Sequence, residues 1–186
     1  AKMYNNTLVS STACVSRSER SAVGDHFGWH PATGPDVDQR DGHIFVNNLM
    51  VADGSLNRPH LFVWQRAMLC DRLRDPQFSV IDNNVYVKNG ERRGMPLILW
   101  SPAREEQCIV ALNSPAELNA RFPQFETKGI VMTDNQVFLS PELKNYRMLP
   151  SFAGHVAAAA VPQELWPLFR LKKKPAPWVG AYPPQM

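Results

Sequence analysis

The sequence contains no apolar stretch near the ~20 residues that cross a bilayer. Its longest alanine run, Ala157 to Ala160, is short and is bracketed by His155 and Pro162. A membrane-spanning segment is therefore not expected. No signal peptide is visible, and the chain opens on Ala1-Lys2-Met3 without an initiator methionine. We read that start as the processed or truncated edge of a longer gene product. Charge of one sign is also lacking: 20 Lys and Arg stand against 17 Asp and Glu, a net charge of +3. The basic residues are scattered, and the single run, Lys172-Lys173-Lys174, sits near the end. A nucleic-acid surface needs a larger cluster, so that class is set aside. Cysteine is scarce, and Cys14, Cys70 and Cys108 show no C-x-x-C metal spacing. An odd count admits one disulfide with a free thiol in an exported protein, or three free thiols. No P-loop, dinucleotide fingerprint, G-x-S-x-G or H-E-x-x-H motif is present.

Four similar segments are present instead. Tyr4 to Val9, Val46 to Val51, Asp82 to Val87 and Asp134 to Leu139 each set an Asn-rich corner before a short β-prone run. Asn tolerates left-handed backbone at a sharp bend. Between stacked parallel strands ~4.8 Å apart, its side-chain amide can bond to the next Asn as a ladder. Repetition of this kind decides architecture before any single motif does. Leu8, Leu49 and Val85 are expected at equivalent positions, as are Val9, Met50 and Tyr86. Asn6, Asn48, Asn84 and Asn135 lie 42, 36 and 51 residues apart, uneven intervals that suit insertions between stacked strands.

Further strands are expected at His43–Val46, Leu61–Trp64, Ser79–Ile81 and Leu97–Trp100. Sixteen prolines, concentrated after residue 90, forbid long helices there. Ser114-Pro115-Ala116-Glu117 supplies an N-cap, a first-turn proline and an acid, so a short helix should start there. A helical turn fits Pro162 to Trp166. The expected fold is all-β: the C-terminal coils of a right-handed parallel β-helix, with long loops and one or two short helices. It comprises one domain over residues 1–186, with 162–186 as a C-terminal cap or tail.

The C-terminal third carries a resemblance. Phe138 to Ser151 includes Asn145-Tyr146-Arg147-Met148, then come Ala157 to Pro162, and Pro177-Trp178-Val179-Gly180-Ala181-Tyr182 ends the pattern. This order resembles the ending of bacterial right-handed parallel β-helix proteins of the pectate-lyase-like superfamily. The likeness covers residues 78 to 183, and Ser151-Phe152-Ala153-Gly154 departs from the expected turn. It implies an extracellular polysaccharide as ligand, and a secreted, periplasmic or cell-surface location. It does not imply one activity, because the superfamily holds lyases, hydrolases and proteins without a known reaction.

The densest polar segment runs from Gly24 to His43, and its Gly and Pro content makes it a loop. Three readings of it compete with a purely local role for its Asp and His. His26 or His30 with Arg40 would serve a polysaccharide lyase, which needs a base for the proton α to a uronate carboxylate and a cation for the developing charge. Asp36 and Asp38 would serve a glycosidase as acid and base. Asp36, Asp38 and Asp41 would hold Ca²⁺ through carboxylate oxygens. In each, Trp29 would stack on a sugar ring. Arg66, Arg72 and Arg74 either line a groove for an acidic polysaccharide or form a solvated face. The alternative to a carbohydrate-active protein is a non-catalytic assembly protein. A partner is expected over residues 1–12, either the N-terminal portion of the same gene product or another chain, because a naked strand edge normally needs cover.

Overall fold

The computed structural model describes residues 1–18, 39–89, 94–133 and 136–183. The strands are β1 (Lys2–Tyr4), β2 (Thr7–Val9), β3 (Ala13–Arg17), β4 (His43–Val46), β5 (Leu49–Ala52), β6 (Leu61–Gln65), β7 (Phe78–Asp82), β8 (Val85–Lys88), β9 (Ile98–Trp100), β10 (Val110–Leu112), β11 (Ile130–Met132), β12 (Phe138–Ser140) and β13 (Asn145–Met148). Among the described residues, one α-helix, α1 (Pro115–Arg121), and several short 3-10 helices accompany them. Three sheets are interleaved along the chain: β1-β4-β7, β2-β5-β8-β11 and β3-β6-β9-β10. Pairings in the first two are parallel, as are β3·β6 and β6·β9 in the third.

This corrects the fold class expected from the sequence. The protein is a mixed α/β arrangement of separate three- and four-stranded parallel sheets, not an all-β right-handed parallel β-helix. After Trp100 the chain turns back, and β10 pairs antiparallel with β9. Ser114 then caps α1, its side chain accepting from Glu117 N at 3.2 Å. The run that follows the fourth expected corner does not join the sheets of the first three. Asp134 and Asn135 lie outside the described residues, and β12 pairs antiparallel with β13 as a separate two-stranded sheet. Hydrophobic pattern specifies which face of a strand is buried, not which strand it joins, so the early corners could not foretell this ending.

The three Asn-Asn corners form as the residue type dictates. Asn5, Asn47 and Asn83 take left-handed φ of 52°, 59° and 59°. Asn48 Oδ1 accepts from Asn6 Nδ2 at 2.8 Å, and Asn84 Oδ1 accepts from Asn48 Nδ2 at 3.0 Å. The register places Thr7, Leu49 and Val85 together, and Leu8, Met50 and Tyr86 together. The corners align as expected, while the run after the first one is offset by one residue, Thr7 taking the place expected for Leu8. At the foot of the ladder Asn84 Nδ2 donates to Glu126 Oε1 at 2.9 Å, so a carboxyl ends the row where an amide was expected.

Phe45, Met50, Leu61, Val63, Ile81 and Tyr86 fill the space between the sheets. Trp100 is the largest member, stacked on Phe78 and tilted against Phe122 and Phe125. The second sheet, β2-β5-β8-β11, is covered on its other face too. Leu49, Val51, Val85 and Val87 pack on Val137, Met148, Phe152 and Val179. Residues 178–181 reach the corners, where Asn5 Nδ2 donates to Trp178 O at 2.7 Å and Gly180 N donates to Asn47 O at 2.8 Å. Gly180 has φ of +78°, and a Cβ there would come within 2.8 Å of Thr7 Oγ1. The close approach needs glycine.

The cysteine alternatives resolve into one disulfide, Cys70–Cys108, with Cys14 free and exposed. The bridge closes a separation of 38 residues. On the chain-entropy scale a loop of that length is worth about 4 kcal/mol. Replacing both cysteines with serine should lower the free energy of unfolding in urea by about that amount. An unchanged denaturation midpoint would show that the bridge adds nothing.

Candidate functional site

The third sheet, β3-β6-β9-β10, keeps an accessible outer face. Residues alternate along it, so in β6 Leu61, Val63 and Gln65 point inward while Phe62 and Trp64 are half-buried. Cys14, Phe62 and Leu99 stack in register across β3, β6 and β9, and Ser16 sits beside Trp64. The segments leading into β3 and β6 flank this row. Together they form a groove of about 740 Å³, lined by Ser10, Thr12, Cys14, Arg58, Phe62 and Leu99 among others. Partial burial raises the Cys14 thiol above its ordinary pKa, so it is a slow nucleophile at neutral pH.

At the other end of the same strands, three segments leave β3, β6 and β9. Arg17, the last residue of β3, is 1% exposed, and its guanidinium ties two of those segments together. Nε donates to Arg40 O at 3.1 Å, and Nη1 donates to Gln65 Oε1 at 3.0 Å and Asp75 O at 2.9 Å. Nη2 lies 4.0 Å from Asp41 Oδ2. Gln65 continues the tie with Nε2 to Leu73 O at 2.8 Å, and Gln77 Nε2 reaches Trp64 O and Ser101 O. The disulfide fastens the second segment to the third. A pocket of about 190 Å³ opens between the first two, lined by Arg17, Gln39, Asp41, Arg72, Arg74 and Asp75. The lining holds three arginines and two aspartates, and guanidinium presents the paired donors that match a carboxylate.

The residues singled out from the sequence fare unevenly. His26, Trp29, His30, Asp36 and Asp38 lie outside the described residues. Arg40 is half-buried, and its carbonyl serves Arg17. Asp41 also faces Arg17, and its carboxylate accepts from Gln39 Nε2 at 3.4 Å. No group of three His, Cys, Asp or Glu side chains is placed to hold a metal ion among the described residues. Arg72 and Arg74 do line a cavity, whereas Arg66 does not line it. His60 is fully buried, with Nε2 3.0 Å from Val87 O, a structural position.

Arg17 and Gln65 are the residues the sequence reading missed. Their signal was parity: Arg17 stands two and four residues from Val15 and Ala13, and Gln65 two and four from Val63 and Leu61, so both follow the inward face of their strands. A polar residue on a buried face must find partners, and that marks it for attention.

Comparison with protein-family models, curated proteins and solved structures found no match. Nothing in these comparisons identifies the pectate-lyase-like superfamily. No described helix is long and apolar enough to cross a membrane.

Proposed function

We propose that the protein binds an extracellular acidic polysaccharide along the outer face of the third sheet, with carboxylates of the polymer seated at the arginine pocket. The observation that carries this is the convergence of Arg17, Arg72 and Arg74 on one cavity, at the end of the strands whose outer face carries Phe62 and Trp64. Hydroxyl and amide groups of Ser10, Ser11, Thr12 and Asn57 line the groove at the other end, as a sugar surface needs. A disulfide across two of the segments suits an oxidising compartment and hence an exported protein. His26, His30, Asp36 and Asp38, the residues a cleavage step was expected to use, lie outside the described residues, so binding is the reading proposed.

Arg72→Glu with Arg74→Glu takes the charged lining of the pocket from a net +1 to a net −3. Calorimetric titration with a polyuronate should show affinity falling at least about tenfold, a cost of about 1.4 kcal/mol. The unmodified protein should also bind more weakly at high salt. Equal affinity in the variant would place the anion elsewhere.

A second reading, an assembly protein, has its own observation. β1, β2 and β3 are each the last strand of their sheet at the same end of the stack. Such edges invite another chain, and residues 1–12 include two of them. Light scattering of the full chain, with chemical crosslinking from Lys2, tests it. A monomer at all concentrations, with no crosslinked partner from the source cells, would sink this reading.

A further inference from the structure

We propose that Glu126 is a proton-operated latch that fastens the segment from Phe125 to Met132 to the foot of the amide ladder. Glu126 is 3% exposed and holds a left-handed φ of 48°. Its Oε1 accepts from Asn84 Nδ2 at 2.9 Å and from Tyr86 Oη at 2.7 Å. Its Oε2 is buried without a hydrogen-bond partner, and a Cβ on Gly129 would overlap that oxygen. The backbone on either side is pinned to the same strands, with Glu126 N donating to Ile81 O at 2.7 Å and Ile130 N to Asn84 O at 3.0 Å.

The ionisable surroundings disfavour a charge here. From β7, Asp82 adds negative charge, and its own carboxylate is engaged by Thr127 Oγ1 at 2.5 Å and Lys128 N at 2.8 Å. From β8, burial holds the Tyr86 phenol well above its ordinary pKa, so it remains a donor. Asn84 is neutral, and α1 contributes Asn119, whose amide bonds Phe125 O at 2.8 Å. Two donors satisfy one oxygen only. A carboxylate seated there would keep its second oxygen dry and unpaired, which is costly. Burial accordingly raises the Glu126 carboxyl to about 7 from 4.5.

The sign follows from that direction. In the released segment the carboxyl is solvated and ionises at its ordinary value, while in the seated segment it stays neutral until higher pH. Seating is therefore firmest below pH 4.5 and weakens as pH rises towards 7. Above that it levels off. Between pH 5 and pH 8 the released population should rise about seventyfold by linkage.

Native-state hydrogen exchange at the Glu126 and Ile130 amides, corrected for intrinsic exchange, reads this directly. The whole protein should show the ~70-fold rise at those amides, while the amides of β5 change far less. Glu126→Gln keeps an acceptor and loses the titration, so its protection should be flat with pH. Carbon NMR of the Glu126 carboxyl in the unmodified protein, with a midpoint near 7, gives the same answer if the variant fails to fold. A midpoint near 4.5, or a glutamine variant with the original pH dependence, overturns the latch.

Discussion

Replacing Asn48 with alanine should cost about 3–5 kcal/mol of folding stability, well above the effect of the same change at Asn6. Asn48 is fully buried and works on both sides. Its Oδ1 accepts from Asn6 N at 3.0 Å and Asn6 Nδ2 at 2.8 Å. Its Nδ2 donates to Asn84 Oδ1 at 3.0 Å and to Met3 O at 3.2 Å. Alanine deletes these four bonds and leaves the backbone N–H of Asn6 and the oxygen of Met3 short of a partner. Each stranded polar group costs about 1–3 kcal/mol, offset where water can enter. Asn6 is exposed at the end of the row, so water replaces what its amide loses, and a cost of about 1 kcal/mol is expected there. Urea denaturation of the two variants side by side measures the contrast. Equal losses would show that the ladder stabilises through its corners alone.

Arg17→Met is the second large effect, because it joins stability to the site. Methionine refills much of the volume but removes the bonds to Gln65 Oε1, Asp75 O and Arg40 O. Bonds from a charged donor are worth about 1.5–3 kcal/mol each, and partial rehydration of the freed oxygens brings the expected cost to about 3 kcal/mol. The segments at 39–41 and 66–75 lose their common anchor, so limited proteolysis should cut there at a rate the parent does not show. Arg17→Lys restores the charge without the fork and should recover only part of the loss. Polyuronate affinity should fall in Arg17→Met even where the protein remains folded. Unchanged proteolysis and unchanged affinity would mean that Arg17 neither shapes nor contributes to the pocket.

Much of the local structure was legible because it depends on single residue types. The Asn corners at Asn5, Asn47 and Asn83, the cap at Ser114 and the strands at His43–Val46 and Leu61–Trp64 follow from left-handed tolerance, capping chemistry and alternation. The fold class was not legible, because pairing partners are chosen at long range. Nothing within Val110–Leu112 says that it runs antiparallel to β9, and nothing near Asn135 says that β12 turns to β13. Glu126 escaped notice for the same reason, since only the folded chain brings it beneath Asn84 and Tyr86. At the site, Arg72 and Arg74 stood out as candidates to line a groove, but their cavity also includes Arg17, which sits 55 residues upstream of Arg72 on β3.

Cys14 provides the most direct test of carbohydrate binding on the third sheet. It is the free cysteine, it is exposed, and it stacks beside Phe62 within the groove. Maleimide labelling of Cys14 should be timed with polyuronate oligomers, with neutral glucan oligomers of equal length, and with neither. The account predicts that the uronate slows labelling in a saturable manner, that the glucan does so far less, and that Arg72→Glu with Arg74→Glu abolishes the protection. Labelling at one rate in all three conditions, at oligomer concentrations that saturate any binding seen by calorimetry, would contradict it.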